Sequence, residues 1–241
     1  MKFKLSNIKN FKDSIITAEQ MLDEIKFEAD NDGVRFRGLD RSHVAFINLD
    51  IKSDYFDEYE IMNPESCIVD TSELVKVLKR SKSNDTLVFS FDAEEIKIQF
   101  IGTATRTFKI KQVDMEYDSP MMPNIEYPIS IDVDYKQLQD IVKDAELYSD
   151  KLTISTEDQE LKIISNGNFG EYISTVPLLV NLKNCSSVFS LDWLKKFFKL
   201  TSVSDVVNVN MGTDMPLLLD FEDEDGLNVT FLLAPRIEEY E

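Results

Sequence analysis

The sequence predicts an α+β fold built as two tandem, similar halves, each with two helices on antiparallel sheets. One observation is an internal repeat. The run Asp70–Phe100 returns as Ser190–Asp220 at a constant offset of 120 positions, with Leu74 on Leu194, Leu78 on Phe198, Lys76 on Lys196, Lys79 on Lys199 and Phe89 on Val209. A second is that both copies change period in the same order, from apolar residues at helical spacing, through a polar turn, to two alternating runs. A third is the break at Gln112–Pro128, QVDMEYDSPMMPNIEYP, which holds three prolines and no sustained period. These place the halves at residues 1–113 and 129–241, joined by an extended linker over 114–128.

Taken in order, Ile8, Phe11, Ile15, Ala18, Leu22 and Ile25 recur at helical spacing and predict a first helix over Asn7–Ile25. Lys26–Phe36 alternates around Asp32-Gly33 and predicts two strands joined by a tight turn. Val44–Ile51 reads as a third strand, and Cys67–Val69 leads into a second helix within Thr71–Ser83. Thr86–Phe91, Glu95–Ile101 and Thr105–Val113 follow as strands. In the second half, Leu138, Ile141, Val142 and Ala145 give a third helix over Asp134–Tyr148. Strands at Leu152–Ser155, Leu161–Ser165 and Tyr172–Leu179 precede a fourth helix within Ser190–Val203, and Val206–Met211, Leu217–Phe221 and Leu227–Leu233 close the pattern.

Composition excludes several classes. No apolar run reaches the roughly 20 residues of a membrane span, and MKFKLSNIKNFKD has no signal-peptide core, so an intracellular protein without a membrane partner is expected. Cys67 and Cys185 stand in unrelated contexts and read as buried free thiols, with no metal site or cofactor expected. The lone histidine, His43, has no nucleophile or carboxylate pattern around it, and seven glycines leave no phosphate-binding loop, so no catalytic residue is assigned. The acidic stretches Glu28–Gly33 and Phe221–Gly226 fail the calcium-loop pattern, with Leu39 and Leu232 where a bidentate glutamate belongs, and read as hairpin turns.

The distribution of charge is more informative than its sum. The net charge is -19, yet all four helical segments put cations on the side away from the core: Lys9 and Lys12; Lys76, Lys79 and Arg80; Lys136 and Lys143; Lys195, Lys196 and Lys199. A single basic helix face is ordinary solvation. Four in an acidic chain predict one basic surface suited to a polyanion contacted without sequence readout.

Three runs then carry a resemblance: DNDGVRFRGLDRSHVAFINLDI (Asp30–Ile51), KDAELYSDKL (Lys143–Leu152) and DMPLLLDFEDEDGLNVTFLLAPRIEE (Asp214–Glu239). They resemble the sliding clamps of the proliferating cell nuclear antigen family, most of all the archaeal ones, and the likeness extends over essentially the whole chain. It implies a clamp-fold protomer that trimerises head to tail around duplex DNA and does no chemistry. As partners it implies a replicative polymerase, a clamp loader, a flap nuclease and a ligase, held through short peptides bearing a glutamine, an aliphatic residue and two aromatics. The family's peptide pocket maps onto Leu39, His43, Val44, Phe46, Pro216, Leu232, Ala234, Pro235 and Ile237, with linker contacts from Tyr117, Met121 and Met122. Ser119 stands where the family usually has an aliphatic residue. The subunit joint maps onto the edge carrying Thr105, Thr107 and Lys109 against Glu171, Ile173 and Thr175, with Arg80 and Lys82 facing Asp140 and Asp144. The resemblance implies a place beside the DNA, in the cytoplasm or nucleoid of an archaeon or the nucleus of a eukaryote. Two alternatives stand beside a homotrimer. One is a subunit of a heterotrimeric or checkpoint-type clamp. The other is an acidic adaptor or DNA mimic, which would gain nothing from lysine-faced helices.

Overall fold

The computed structural model describes residues 1–92, 95–178, 182–200 and 203–237. The chain divides into two compact units, one of Met1–Met122 with Glu222–Val229 and the other of Pro123–Phe221 with Thr230–Glu241.

The first unit contains β1 (Lys2–Leu5), α1 (Lys9–Ala18), β2 (Glu24–Asp30), β3 (Gly33–Leu39), β4 (Ala45–Lys52), a 3-10 turn at Ser53–Tyr55, β5 (Glu58–Glu60), β6 (Glu65–Asp70), α2 (Thr71–Leu78), β7 (Thr86–Phe91), β8 (Glu95–Ile101) and β9 (Thr105–Lys111). Its strands run β5-β1-β7-β8-β9 in one sheet and β4-β3-β2-β6 in another. Aromatic rings join these layers. Phe3 of β1 stacks on Phe89 of β7 at 5.0 Å and meets Phe11 of α1 edge-on at 5.6 Å, while Phe27 of β2 lies 5.7 Å from Phe89. All four side chains are at most 1% exposed, and truncating any one to alanine would remove core packing of about 3–5 kcal/mol.

The second unit repeats the plan with β10 (Ile129–Asp134), α3 (Tyr135–Ala145), β11 (Lys151–Glu157), β12 (Glu160–Gly167), β13 (Gly170–Pro177), β14 (Cys185–Ser190), α4 (Leu191–Phe197), β15 (Val206–Met211), β16 (Leu217–Glu222) and β17 (Leu227–Leu233), the stretch from Glu222 to Val229 being grouped with the first unit. Its strand orders are β10-β15-β16-β17 and β13-β12-β11-β14. Phe197 of α4 stacks on Phe231 at 4.4 Å, with Phe221 edge-on to Phe231 at 5.8 Å. The 120-position repeat is thus a repeat of β-α-β units: β6, α2 and β7 begin at Glu65, Thr71 and Thr86, and β14, α4 and β15 begin at Cys185, Leu191 and Val206.

Several expected boundaries are corrected. The first helix ends at Ala18, not Ile25. Glu19 N donates to Ile15 O, Gln20 N to Thr17 O and Leu22 N to Ala18 O, closing the helix in a turn. Leu22 then packs so closely on Gly38 that a Cβ there would fall 2.2 Å from its Cδ1. Ile25 belongs to β2, where Ile25, Phe27 and Ala29 face inward by strand alternation. The helical stripe and the strand alternation coincide at Ile25. The second and fourth helices are shorter than their segments, ending at Leu78 and Phe197, so Lys79 caps α2 while Arg80, Lys82 and Lys199 lie on the turns beyond. Strands β1, β5, β10 and β14 were not foreseen; β1 and β5 have only four and three residues, β14 (CSSVFS) is interrupted by serines, and β10 (ISIDVD) alternates but was passed over beside the proline-rich linker. Leu179, at the end of the expected Tyr172–Leu179 strand, lies outside the described residues.

Caps explain where two helices start. Asp70 accepts from Glu73 N at 2.9 Å and Asp134 accepts from Gln137 N at 2.7 Å, each satisfying a donor of the first turn. The two acidic stretches are hairpin turns whose carboxylates serve the backbone. Asp30 Oδ1 accepts from Asp32 N and Gly33 N, and Asp223 Oδ1 accepts from Asp225 N, Gly226 N and Leu227 N at 2.8–3.0 Å. Gly33 and Gly226 adopt φ of +151° and +107°, and a Cβ on Gly33 would fall 1.9 Å from Ile51 O. Both cysteines are buried free thiols. Among the described residues, no helix is long and apolar enough to cross a membrane.

Candidate functional site

The residues singled out by sequence fall into three sets, each described within its own unit. The first is the helix cations. Lys9 on α1, Lys76 on α2, and Lys136 and Lys143 on α3 are exposed, while Lys12 on α1 and Lys195 and Lys196 on α4 are half-buried. Their charges are not equally available. Glu73 holds Lys76 at 2.6 Å, and that hydrogen bond raises the ammonium's pKa above its ordinary value. Lys143 pairs with Asp140 at 3.2 Å and Lys79 with Glu19 at 3.7 Å. Lys195 is shared by Glu146 at 2.5 Å and Asp192 at 3.7 Å, the Glu146 bond again raising its pKa. Lys12 reaches the Ser81 hydroxyl at 3.4 Å. These ion pairs are partly to fully open to water, so each is worth little to stability.

The second set is the segment Leu39–Phe46. It is organised by Asp40, which sequence reasoning passed over. Asp40 is 4% exposed, and its carboxylate accepts from Ser42 N at 2.8 Å, Val44 N at 2.7 Å, Ala45 N at 2.7 Å and the Ser42 hydroxyl. Burial pushes this carboxyl's pKa up, but the bonds from Ala45, Ser42 and Val44 outweigh it and hold the group below the ordinary carboxylate range. The loop so fixed puts His43 at φ +58° and leaves Leu39 37% exposed, His43 exposed and Val44 half-buried. Aspartate followed two residues later by serine, the Asx-turn pattern, was the available sequence signal.

In the same unit the linker lies along β2 and β3. Val113 N donates to Ile68 O at 2.9 Å, the Tyr117 hydroxyl to Arg37 O at 3.1 Å, Lys26 Nζ to Tyr117 O at 3.3 Å and the Ser119 hydroxyl to Glu28 at 2.9 Å. Burial, helped by Glu24 and Glu28, raises the Tyr117 phenol. Ser119 thus exchanges an apolar contact for a hydrogen bond to a charged residue. Met121 and Met122 beyond it are exposed.

The remaining pocket residues belong to the second unit. Pro216, Ala234 and Pro235 are half-buried and Ile237 is exposed. Phe46 and Leu232, expected to line an open cavity, are each only 5% exposed. Truncating either therefore removes core packing; of the named apolar residues, Leu39, Met121 and Met122 are exposed in the first unit and Ile237 in the second.

The third set lies on a pair of strand edges. In the first unit β9 ends its sheet, and Thr105, Thr107 and Lys109 are exposed along it. Arg106 between them fastens the α2–β7 turn, pairing with buried Asp85 and donating to Arg80 O at 2.8 Å. In the second unit β13 ends its sheet, exposing Glu171, Ile173 and Thr175. An apolar patch adjoins that edge and was not foreseen: Phe169 is fully exposed at the β12–β13 turn, Leu147 is 81% exposed and Ile173 50%, and Tyr148 stacks on Tyr172 at 6.3 Å. Among the charges proposed for the joint, Arg80 and Lys82 are exposed, while Asp140 is engaged by Lys143.

Comparison with known proteins agrees with this plan. Residues 1–122 match the family model for the proliferating cell nuclear antigen N-terminal domain, and residues 121–236 match that for the C-terminal domain. The chain is 37% identical to the DNA polymerase sliding clamp of Methanobrevibacter smithii, over 98% of both chains. It is 32% identical to that of Pyrococcus furiosus over 96% of both. Among solved structures, PCNA from Thermococcus kodakaraensis superposes with a TM-score of 0.91 at 26% identity, covering 98% of this chain and 99% of that one. A PCNA2-PCNA3 complex from Sulfolobus tokodaii gives 0.91 at 28% identity, covering 99% and 100%. With the two domain models together matching residues 1–236 and curated relatives above 30% identity over nearly the full length, the chain belongs to the proliferating cell nuclear antigen family of DNA polymerase sliding clamps.

Proposed function

We propose that three copies of this chain close head to tail into a ring around duplex DNA, and that the ring tethers the replicative polymerase. The clamp loader, flap nuclease and ligase would dock on the same ring through short peptides reaching the Leu39–Phe46 loop, the linker methionines and the Leu232–Ile237 tail. The function is topological, with no catalytic step, and is exercised inside the cell where the DNA lies. The observation that carries this reading is the sorting of charge: a chain of net charge -19 keeps cations on each of the four α-helices of its described residues. Acidic remaining surface would repel DNA, so a duplex is tolerated only along the helices. Loaded protein is expected to stay on circular DNA and to run off once the circle is cut. Equal retention on both forms, followed by gel filtration of the complexes, would contradict encirclement.

Ring closure is proposed through the open edges of β9 and β13. The exposed Phe169, Ile173 and Leu147 support an apolar joint more than a set of ion pairs. Molar salt should therefore leave the trimer intact. Phe169→Asp or Ile173→Asp should weaken association by about tenfold or more, because a carboxylate buried without a partner costs at least about 1–3 kcal/mol. Light scattering across a dilution series reads both, and a wild-type trimer that dissociates in molar salt would return the joint to Arg80, Lys82, Asp140 and Asp144. A second reading, one subunit of a mixed ring, is favoured by the similarity to the PCNA2-PCNA3 complex. In that case the purified chain alone would remain a monomer or dimer in the same experiment.

A further inference from the structure

Helix α4 carries the only tryptophan of the chain. The buried side of this helix is Leu191, Leu194 and Phe197, so the core does not require Trp193, which stands half-buried with a tilted contact to Phe197 at 6.5 Å. The Lys196 ammonium lies 3.8 Å from the indole centroid. Among the described residues no carboxylate pairs with Lys196, whereas its neighbour Lys195 is held by Glu146 and Asp192. The two cations are thus stored differently. Lys195 is already neutralised, while Lys196 rests on an aromatic face that attracts a cation only weakly when exposed to water. A phosphate oxygen offers the ammonium a charge-assisted hydrogen bond and is the stronger acceptor.

We propose that Trp193 and Lys196 form one composite contact to the DNA backbone: the ammonium leaves the ring for a phosphate, and the uncovered indole packs on the adjacent deoxyribose. This rests on the reading that the helix lysines face the duplex, and it adds a component that reading lacks. Lysine–phosphate contacts weaken with salt because each releases counterions, whereas an apolar contact between indole and sugar does not. Resting on the indole also keeps Lys196 near its target without a competing anion.

The test uses the assembled protein and a fluorescently labelled linear duplex at low ionic strength. Acrylamide quenching of the single tryptophan is expected to fall when the duplex binds. Trp193→Ala should weaken binding about two- to fivefold with no change in the slope of log affinity against log salt. Lys196→Gln should reduce that slope by about 0.9 for every copy engaged. Quenching that is the same with and without bound duplex overturns the proposal even if Trp193→Ala folds poorly, since it is measured on the wild-type chain. Wild-type affinity in Trp193→Ala overturns it as well. If the labelled duplex shows no salt-dependent binding at all, the assignment of the helices to the DNA path fails and takes this contact with it.

Discussion

Replacing Asp40 by alanine is expected to lower the unfolding free energy by about 2–4 kcal/mol, read by urea denaturation. The size follows from what the carboxylate satisfies. Ser42 is exposed and Val44 half-buried, so water can serve their N–H groups once the side chain is gone. Ala45 is 0% exposed, and its N–H, 2.7 Å from Asp40 Oδ1, would be left buried without an acceptor. Asp40→Asn keeps one acceptor but turns an N–H toward the Ser42 donors, so an intermediate loss of about 1–2 kcal/mol is expected. The effect also has a pH signature. Because the folded-state pKa lies below the unfolded one, the carboxylate contributes its stability above the unfolded value and loses it as pH falls through the folded value. The gap between wild type and Asp40→Asn should therefore shrink in acid. A gap independent of pH would mean that the ionised carboxylate is not what holds the loop. Because Leu39, His43 and Val44 ride on this loop, binding of a partner peptide should weaken in the same variants.

The second large effect is expected on DNA. Replacing Lys76, Lys79, Lys196 and Lys199 together by alanine should cut duplex affinity by about tenfold or more at low salt, and should flatten its salt dependence by about 0.9 for each phosphate no longer engaged. The matching control is Lys26, Lys52 and Lys183, on β2, on β4 and in the segment before β14. Lys26 is also engaged by Glu28 at 3.4 Å and by Tyr117 O, so its charge is spent within its own unit. Equal behaviour of the two sets, measured by anisotropy across a salt titration, would remove the helices from the DNA path. The carboxylates beside Lys76 and Lys79 sharpen the expectation. Glu73→Gln and Glu19→Gln should strengthen binding, since each releases a cation now held at 2.6 and 3.7 Å.

Much of this was legible in the sequence because burial imposes a period. The repeat, the inward alternation of most strands and the cations on the helices' outer faces follow from which side chains must leave water. Helix ends were less legible, because Ile25 fits both the helical stripe through Leu22 and the alternation with Phe27 and Ala29, while Leu22 itself sits in the turn between, against Gly38. The cations near the ends of α2 and α4 were recognised, but not that Arg80, Lys82 and Lys199 lie past the last helical residue. Of the residues nominated for peptide binding by the family resemblance, Leu39, Met121 and Ile237 are exposed, as such a role requires. The near-complete burial of Phe46 and Leu232 was not legible, because burial depends on neighbours distant in sequence. Asp40 was passed over although Asp40-Arg41-Ser42 has the Asx-turn pattern, because that pattern does not tell a buried aspartate holding backbone groups from a solvated one.

The first unit is completed by residues 222–229, which lie near the other end of the chain. Asp223 accepts from Asn10 of α1 at 3.1 Å, and Gly226 O accepts from Lys52 N of β4 at 3.0 Å. During synthesis, when a chain's leading domain ordinarily folds ahead of the rest, this one gains its last contacts only after residues 222–229 have left the ribosome. Until then, α1 and β4 lack those partners. The two units therefore share a finishing step, and a nascent chain arrested inside β16 should be degraded by added protease over both units, while one released beyond β17 should resist.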